Sequence, residues 1–432
     1  MSLLNAQSLL GWCAFCLLAW LLGGCRRPVA WRAVIGSTLL AFAMGAVVFL
    51  VPATQRLLVV LNDAVMALLN ASNQGAGFLF GPLALSPGQE TSGGEPSIGF
   101  VVAAQVLPAV IFFSAFMSLL HHFGLIEPVV KAFARLFHRT LNLSGAEALT
   151  SAVHLFFGVE TAAAIRPYLP RMTLSELHTV LTTNLATAAS TTLAVYVAFL
   201  QQDFPRIAGH LMSASVLTIP CAVVATKLML PERETPETLG MVPQMAEQKR
   251  EPNAVAALAT GATDGLRIAA GITAIIIAVL GIVGLFDAVL SRGIELFGGP
   301  EGITVITMLG WAFQPFAWLL GLESADVTEA ARLLGQRTLL TEVVSYQELG
   351  ALAAADSISP RTVLVLSYAL CGFAHVAGVG IAVGGFGALA GSRMGDLTSL
   401  AFKSLAAAIL ATLLSGCIAG MFYSGQTSIL GL

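Results

Sequence analysis

The chain has 432 residues, of which 56% are apolar and only 10% charged, and its formal net charge is −3. A soluble domain carries about 25% charged residues, so a water-facing surface of this size is excluded. The apolar runs are continuous, whereas a membrane barrel would alternate apolar and polar residues, so the sequence predicts an all-α membrane protein.

The first apolar segment, residues 8–24, has no basic residue ahead of it, and Arg26, Arg27 and Arg32 follow it. This order is the reverse of a signal peptide and predicts a first span with its N-terminus outside. Further runs long enough to cross a bilayer are residues 34–51, 99–120, 268–285 and 405–422.

The basic residues predict the direction of each span. If the spans alternate, 15 of the 21 basic residues fall on inner loops, and both chain ends then lie outside. The other six fall outside: Arg56, Arg206, Arg292, Arg332, Arg337 and Arg361.

Two segments break the alternation. Residues 146–164 are apolar but have basic residues on both sides, which predicts a re-entrant hairpin that enters and leaves on one face. Residues 309–354 contain short apolar stretches interrupted by charges and predict a second hairpin from the opposite face. Irregular backbone at membrane depth survives only where protein or a cavity surrounds it, so two such hairpins indicate a transporter with inverted repeats.

A carboxylate lies near the turn of each predicted hairpin, Glu160 in the first and Glu342 in the second. An ionisable residue at membrane depth is a candidate functional site, although each could also reach water or pair with an arginine. The polar run 182–192 and the glycine-rich run 372–380 predict breaks in the helices that follow, where freed backbone groups bind ions or substrate. The alternative for both runs is close helix packing.

Four segments together resemble the concentrative nucleoside transporter family: residues 106–116 (VLPAVIFFSAF), 166–177 (RPYLPRMTLSEL), 335–346 (GQRTLLTEVVSY), and 370–374 (LCGFA) followed by 384–390 (GGFGALA). The resemblance extends from about residue 8 to 424. It implies eight transmembrane helices and two oppositely oriented re-entrant hairpins, with an inverted-repeat transport domain that moves against a scaffold domain in a homotrimer.

On this resemblance the chain is expected to be a symporter, not an enzyme, that imports nucleosides or close analogues across a bacterial inner membrane. It is expected to need no cofactor and to bind no nucleic acid. A same-fold symporter for a different polar metabolite is the alternative. The implied layout is scaffold spans with an outer loop (1–124), the first hairpin with its spans (125–230), a cytoplasmic linker (231–253), a scaffold span with a connecting helix (254–308), and the second hairpin with the last two spans (309–432).

The resemblance also implies a substrate site, in which Glu342 accepts hydrogen bonds from sugar hydroxyls and Glu160 binds the nucleobase. Several positions depart from the family pattern. Val159 stands where the family has a glutamine, and the first hairpin turn is one residue shorter. His375 and Gly378 stand where the family has an asparagine and a serine. The expected substrate-binding residues are Glu160, Thr161, Thr192, Thr341, Glu342, His375 and Gly378.

The family's sodium site maps onto His154, Phe157, Thr187 and Ala188. Sodium is a hard cation that prefers oxygen ligands, whereas the imidazole of His154 offers only nitrogens and can titrate near neutral pH. We therefore expect a proton as the coupling ion, with sodium at His154 and Thr187 as the alternative. Both His154 and His375 could equally be packing residues.

Overall fold

The computed structural model describes residues 3–25, 27–85, 90, 96–99, 101–141, 143–157, 165–201, 204–241, 251–296, 300 and 302–425. Apart from one isolated bridge between Glu90 and Pro96, these residues form helices, turns and connecting segments. The expectation of an all-helical protein is confirmed.

The N-terminal region contains α1 (Leu3–Leu22), α2 (Trp31–Leu50), α3 (Pro52–Phe80), the short α4 (Val102–Gln105), α5 (Leu107–His122) and α6 (Ile126–Leu141). Helix α6 is amphipathic. Its buried residues recur at helical spacing and form one apolar stripe, as in a helix that lies against a protein surface: Ile126, Val130, Ala134, Phe137 and Leu141.

The next region contains α7 (Gly145–Val153), α8 (Leu174–Ala186), α9 (Ser190–Leu200) and α10 (Ile207–Met229). It is followed by the 43-residue α11 (Ala254–Leu296) and by α12 (Val305–Leu319). The last region contains α13 (Val327–Leu339), α14 (Glu342–Ala354), α15 (Pro360–Ala369), α16 (Val376–Leu389) and α17 (Met394–Phe422).

Seven helical segments within the described residues are long and apolar enough to cross a membrane. They differ in burial: 89% of the apolar window in α10 and 83% of that in α17 is buried, against 11% in α11. The central helices are therefore α10 and α17, whereas α11 lies at the periphery with large apolar side chains exposed, such as Ile277 and Leu285. A peripheral apolar helix of this kind is compatible with contact to lipid.

The regions α7–α10 and α13–α17 share one construction, in which one or two short helices precede a broken helix and a long helix. In the first, the Ser144 hydroxyl caps α7 and donates to Glu176 Oε1 at 2.5 Å, in the first turn of α8. In the second, Asp326 precedes α13, and its Oδ2 accepts from the hydroxyl of Ser359, the N-cap of α15, at 2.7 Å and from that of Thr362, in the first turn of α15, at 2.6 Å. Each region is thus closed at its base by a hydrogen bond between its first short helix and its broken helix.

The segment predicted as a second hairpin, residues 309–354, contains parts of three helices rather than two arms. Helices α13 and α14 meet at residues 340–341, and α12 packs against α13 as a separate element. Gly335 permits this contact, because a Cβ there would lie 2.9 Å from the Leu309 Cβ.

Two of the basic residues that the count places outside are buried within the protein. The side chains of Arg337 and Arg361 are buried, at 0% and 3% exposure. The Arg361 guanidinium donates to Gly321 O (2.7 Å), Asn5 Oδ1 (2.8 Å) and Gly420 O (3.0 Å), so it connects α15 to α1 and α17. The sidedness count could not distinguish these structural arginines from solvated loop residues.

Candidate functional site

The two broken helices contact each other at their breaks. Helix α8 ends at Ala186 and α9 begins at Ser190, while α15 ends at Ala369 and α16 begins at Val376. Gly372 lies in the second break with a φ of +130°, and a Cβ there would be 2.4 Å from Ala186 O. Both the positive φ and this close approach require glycine. The predicted breaks in runs 182–192 and 372–380 are confirmed.

Glu342 lies at the turn between α13 and α14, beside the two breaks. Thr341 is the N-cap of α14, and its hydroxyl accepts from the Val344 N–H at 3.4 Å. Glu342 is therefore the first residue of a helix, where the positive end of the helix dipole favours a carboxylate. Its side chain is 1% exposed.

Two side chains on other helices bind the Glu342 carboxylate. The Tyr196 hydroxyl on α9 donates to Oε1 at 2.9 Å, and His375 Nε2 lies 2.9 Å from Oε2. The backbone N–H of Gly378 donates to His375 Nδ1 at 3.0 Å. Because Nδ1 accepts, the ring proton of the neutral imidazole is assigned to Nε2, the atom that contacts Glu342 Oε2. Both ring nitrogens of His375 are therefore engaged.

Gly378 is the other predicted residue of α16 and has a steric requirement. A Cβ at this position would lie 2.4 Å from Phe373 O and 3.4 Å from His375 Nε2. Since the first of these atoms is backbone, a side chain at 378 would displace the break itself. Glycine thus allows His375 to cap α16 and reach Glu342 at the same time.

A cavity of about 340 Å³ opens between these elements. The predicted residues Thr192, Thr341, Glu342, His375 and Gly378 all line it. The apolar face of α11 closes one side of the cavity through Ile268, Gly271, Ile272 and Ile275. The remaining lining residues are Asn184, Ala189, Val343, Phe373 and Ile381. The other predicted substrate residues, Glu160 and Thr161, lie outside the described residues. An apolar cavity with a few convergent polar groups is typical of a small-molecule site.

His154 follows α7 and is 1% exposed. Its Nδ1 lies 3.2 Å from the Thr183 hydroxyl, which itself donates to Thr179 O (2.9 Å) and Val180 O (3.1 Å). The Thr183 hydroxyl therefore accepts from His154, so the ring proton is assigned to Nδ1. Nε2 then carries a lone pair and has no hydrogen-bond partner within the described part of the chain.

Of the other predicted coupling-ion residues, Thr187 shares a hydrogen-bonding partner with His154. The Thr187 hydroxyl donates to Thr183 O at 2.7 Å, so His154 and Thr187 both bind Thr183. The Ala188 carbonyl accepts from Ser215 at 3.1 Å, and the Phe157 ring packs edge-on against His121 at 6.3 Å. The structure thus brings His154 and Thr187 together at the α8–α9 break.

Sequence reasoning missed three contributors: Asn184 and Phe373 in the cavity lining, and Tyr196, which binds Glu342. Asn184 belongs to the polar run 182–192, where an amide one turn before a predicted break is a signal that could have found it. Tyr196 lies in an apolar part of α9, so the sequence holds no such signal for it.

Three sequence models of one transporter family match the chain. They are described as the Na+ dependent nucleoside transporter N-terminus (residues 10–83), nucleoside recognition "Gate" (103–203) and the Na+ dependent nucleoside transporter C-terminus (210–420).

The chain is similar to three relatives along 96% of its length. An uncharacterized transporter of Haemophilus influenzae is 31% identical, with 97% of its own length covered. The putative nucleoside permease NupX of Escherichia coli is 29% identical, with 98% covered. Sodium/nucleoside cotransporter 1 of Sus scrofa is 31% identical, and the chain spans 63% of that protein.

Among solved structures, CNTnw in an inward-facing substrate-bound state has a TM-score of 0.86 and 30% identity to this chain. The match covers 97% of this chain and 98% of that one.

Proposed function

The chain belongs to the concentrative nucleoside transporter family, a family of transporters and not of enzymes, and we propose that it imports nucleosides or close nucleoside analogues by cation symport. The observation that carries the proposal is Glu342 in the cavity. Tyr196 donates to Oε1, and Oε2 contacts His375 Nε2 but accepts no hydrogen bond from the described residues, so the carboxylate keeps lone pairs as acceptors for substrate hydroxyls. A preorganised carboxylate in an apolar cavity suits the vicinal hydroxyls of a sugar.

We propose that the coupling ion is a proton and that His154 Nε2 accepts it. The support is the assigned lone pair on Nε2, buried beside the α8–α9 break. A free ring nitrogen is not sufficient by itself, because His178 and His210 also have a buried Nε2 without a described partner. His154 differs by its contact with Thr183, the residue that also binds Thr187. Sodium held by Thr187 and the carbonyls of Phe157 and Ala188 is the competing assignment.

The proposed architecture is eight spans and two oppositely oriented re-entrant hairpins, with both chain ends outside a bacterial inner membrane. The transport domain comprises residues 125–230 and 309–432, joined by the linker 231–253, while residues 1–124 and 254–308 form the scaffold of a homotrimer. The similar construction of α7–α10 and α13–α17 supports an inverted repeat. An elevator motion would carry the cavity past α11, whose apolar face closes one side of it.

A second candidate is a symporter of the same fold for another polar metabolite. The observation that favours it is the altered hydrogen-bonding chemistry of the site: both nitrogens of His375 are already engaged, and Gly378 offers no side chain.

A thermal-shift screen of the purified protein tests the proposed substrate. The ligands are nucleosides, free nucleobases, free ribose and unrelated polar metabolites, each at equal concentration. We expect nucleosides to raise the midpoint of unfolding in the wild type but not in Glu342→Gln, because a ligand that binds only the native state stabilises it. Stabilisation by a metabolite without a nucleobase, and by no nucleoside, would favour the second candidate.

A further inference from the structure

Asn184 on α8 lines the cavity, and its side-chain amide has no hydrogen-bond partner among the described residues. Its side chain lines the cavity beside Glu342 and His375, and the residue is only 9% exposed. No hydrogen bond joins its amide to any residue that the structure describes. The neighbouring polar side chains of α8 differ from it, since Thr179 and Thr183 both donate to carbonyls of their own helix.

The chain neighbours of Asn184 contact other elements of the structure. Thr183, the preceding residue, binds His154, and Leu185, the following residue, lies against α16, where its Cδ2 would be 3.4 Å from a Cβ at Gly378. Ala186 packs on Gly372. These contacts hold the backbone at position 184 beside the cavity. The residue is 9% exposed and lines the cavity, so water can bind its amide in the empty site, and a ligand that displaces this water must supply a donor and an acceptor together.

We propose that Asn184 binds the hydrogen-bonding edge of the nucleobase and so contributes to base specificity. The inference rests on the proposed nucleoside import, in which Glu342 takes the sugar. Asn184 belongs to α8, in the region α7–α10, whereas Glu342 belongs to α14, in the region α13–α17. A ligand that lies between them would therefore contact Asn184 with one end and Glu342 with the other. A carboxamide has one acceptor and one donor group, which match adjacent donors and acceptors such as N3–H and O4 of uracil or N6–H and N7 of adenine.

Titration calorimetry on the purified full-length protein tests this assignment with three ligands: uridine, 3-methyluridine, which lacks the N3–H donor, and 2′-deoxyuridine. Adenosine, N6,N6-dimethyladenosine and 2′-deoxyadenosine form the equivalent purine set. For Asn184→Leu, which is similar in size, we expect a roughly tenfold or greater loss of affinity for uridine. Its preference for uridine over 3-methyluridine should disappear, while its preference for uridine over 2′-deoxyuridine should remain.

Thr182→Val is the matched control, because Thr182 lies on the same helix, is buried, and has a hydroxyl without a described partner. It should bind all ligands as the wild type does. Asn184→Ser is the second variant, for the case that leucine disturbs assembly, and it should lose the base-edge preference as well.

An unchanged preference for uridine over 3-methyluridine in a folded Asn184 variant would overturn the inference while leaving nucleoside binding intact. Loss of the sugar preference instead of the base preference would also overturn it. If the wild type binds no nucleoside of either set, the proposed function is wrong, and the proposed role of Asn184 in base specificity is then wrong as well. The wild-type measurement thus separates the two failures.

Discussion

The two histidines of the site lie in similar settings but have different bonding. His375 caps α16 through Nδ1 and contacts Glu342 Oε2 at 2.9 Å through Nε2, so both of its nitrogens have a polar neighbour. His154 donates through Nδ1 to Thr183, and its Nε2 has no partner within the described residues. Protonating His375 would break the cap of α16, whereas protonating His154 would break no described hydrogen bond.

This difference separates a positioning role from a proton-accepting one. Around the α13–α14 turn, Tyr196 and His375 contact the carboxylate of Glu342 and hold it in place for a ligand, as preorganised sites require. Near the α8–α9 break, His154 Nε2 is a basic atom without a described partner, as is required of a group that gains and loses a proton during transport. We therefore assign substrate binding chiefly to the surroundings of Glu342 and ion coupling to the surroundings of His154.

The largest effect is expected from Glu342→Gln. Loss of a charged partner from a buried hydrogen-bonded network costs about 2–5 kcal/mol, which is more than tenfold in affinity. Nucleoside binding by calorimetry should be abolished or severely weakened, while size-exclusion chromatography shows an unchanged assembly. Glu348→Gln is the control, because Glu348 lies on the same helix but bonds Arg332 at 2.5 Å outside the cavity. Wild-type affinity in Glu342→Gln would refute the assigned role.

His154→Gln should separate coupling from binding. The variant lacks the imidazole lone pair, so we expect nucleosides to equilibrate across proteoliposomes without accumulating, at near wild-type binding affinity. His178→Gln is the control: His178 is equally buried and bonds Ser404 at 2.9 Å through Nδ1, away from the break. Equal loss of accumulation in both variants would mean that His154 has no special part in coupling.

His375→Asn should have a smaller effect on binding and none on the coupling ion. An asparagine can cap α16 or reach Glu342 but not both, so one hydrogen bond is lost, at about 1.5–3 kcal/mol for a charged acceptor. We expect roughly tenfold weaker binding with an unchanged response of uptake to external pH. A displaced pH profile would show that His375 takes part in proton transfer and would remove the distinction between the two histidines.

Gly378→Ala should have the smallest effect, and mainly on stability. A Cβ there would meet Phe373 O at 2.4 Å, and such overpacking costs about 1–3 kcal/mol. The thermal midpoint should fall relative to Gly380→Ala, a control on the same helix whose Cβ would meet nothing within 4 Å. Equal midpoints would indicate that the α15–α16 break relaxes freely.

The sequence predicted Glu342 near a helix turn and two broken helices because charges and small polar runs stand out within apolar segments. It also predicted that His154 and Thr187 belong together, through the family resemblance. It did not predict the partners, since Tyr196 reaches Glu342 across 146 positions of the chain. Such contacts depend on tertiary packing, which local composition does not encode.

The burial of charged residues was also not predicted from the sequence. Arg337 was counted among the basic residues that fall outside, and its guanidinium is buried in α13, where it donates to the Thr412 hydroxyl of α17 at 3.2 Å. A count of basic residues indicates sidedness only for loops. Asn184 was likewise treated as part of a small polar run, because only the cavity distinguishes an amide that faces a ligand from one that faces a neighbouring helix.

Uptake of radiolabelled nucleoside into proteoliposomes tests the contrast between the two histidines most directly. An inward proton gradient in the absence of sodium should drive accumulation above the external concentration, and a protonophore should abolish it. An inward sodium gradient at equal pH on both sides should give equilibration only. Sodium-driven accumulation that persists in the presence of the protonophore would contradict the account and assign the coupling site to the oxygens of Thr187, Phe157 and Ala188.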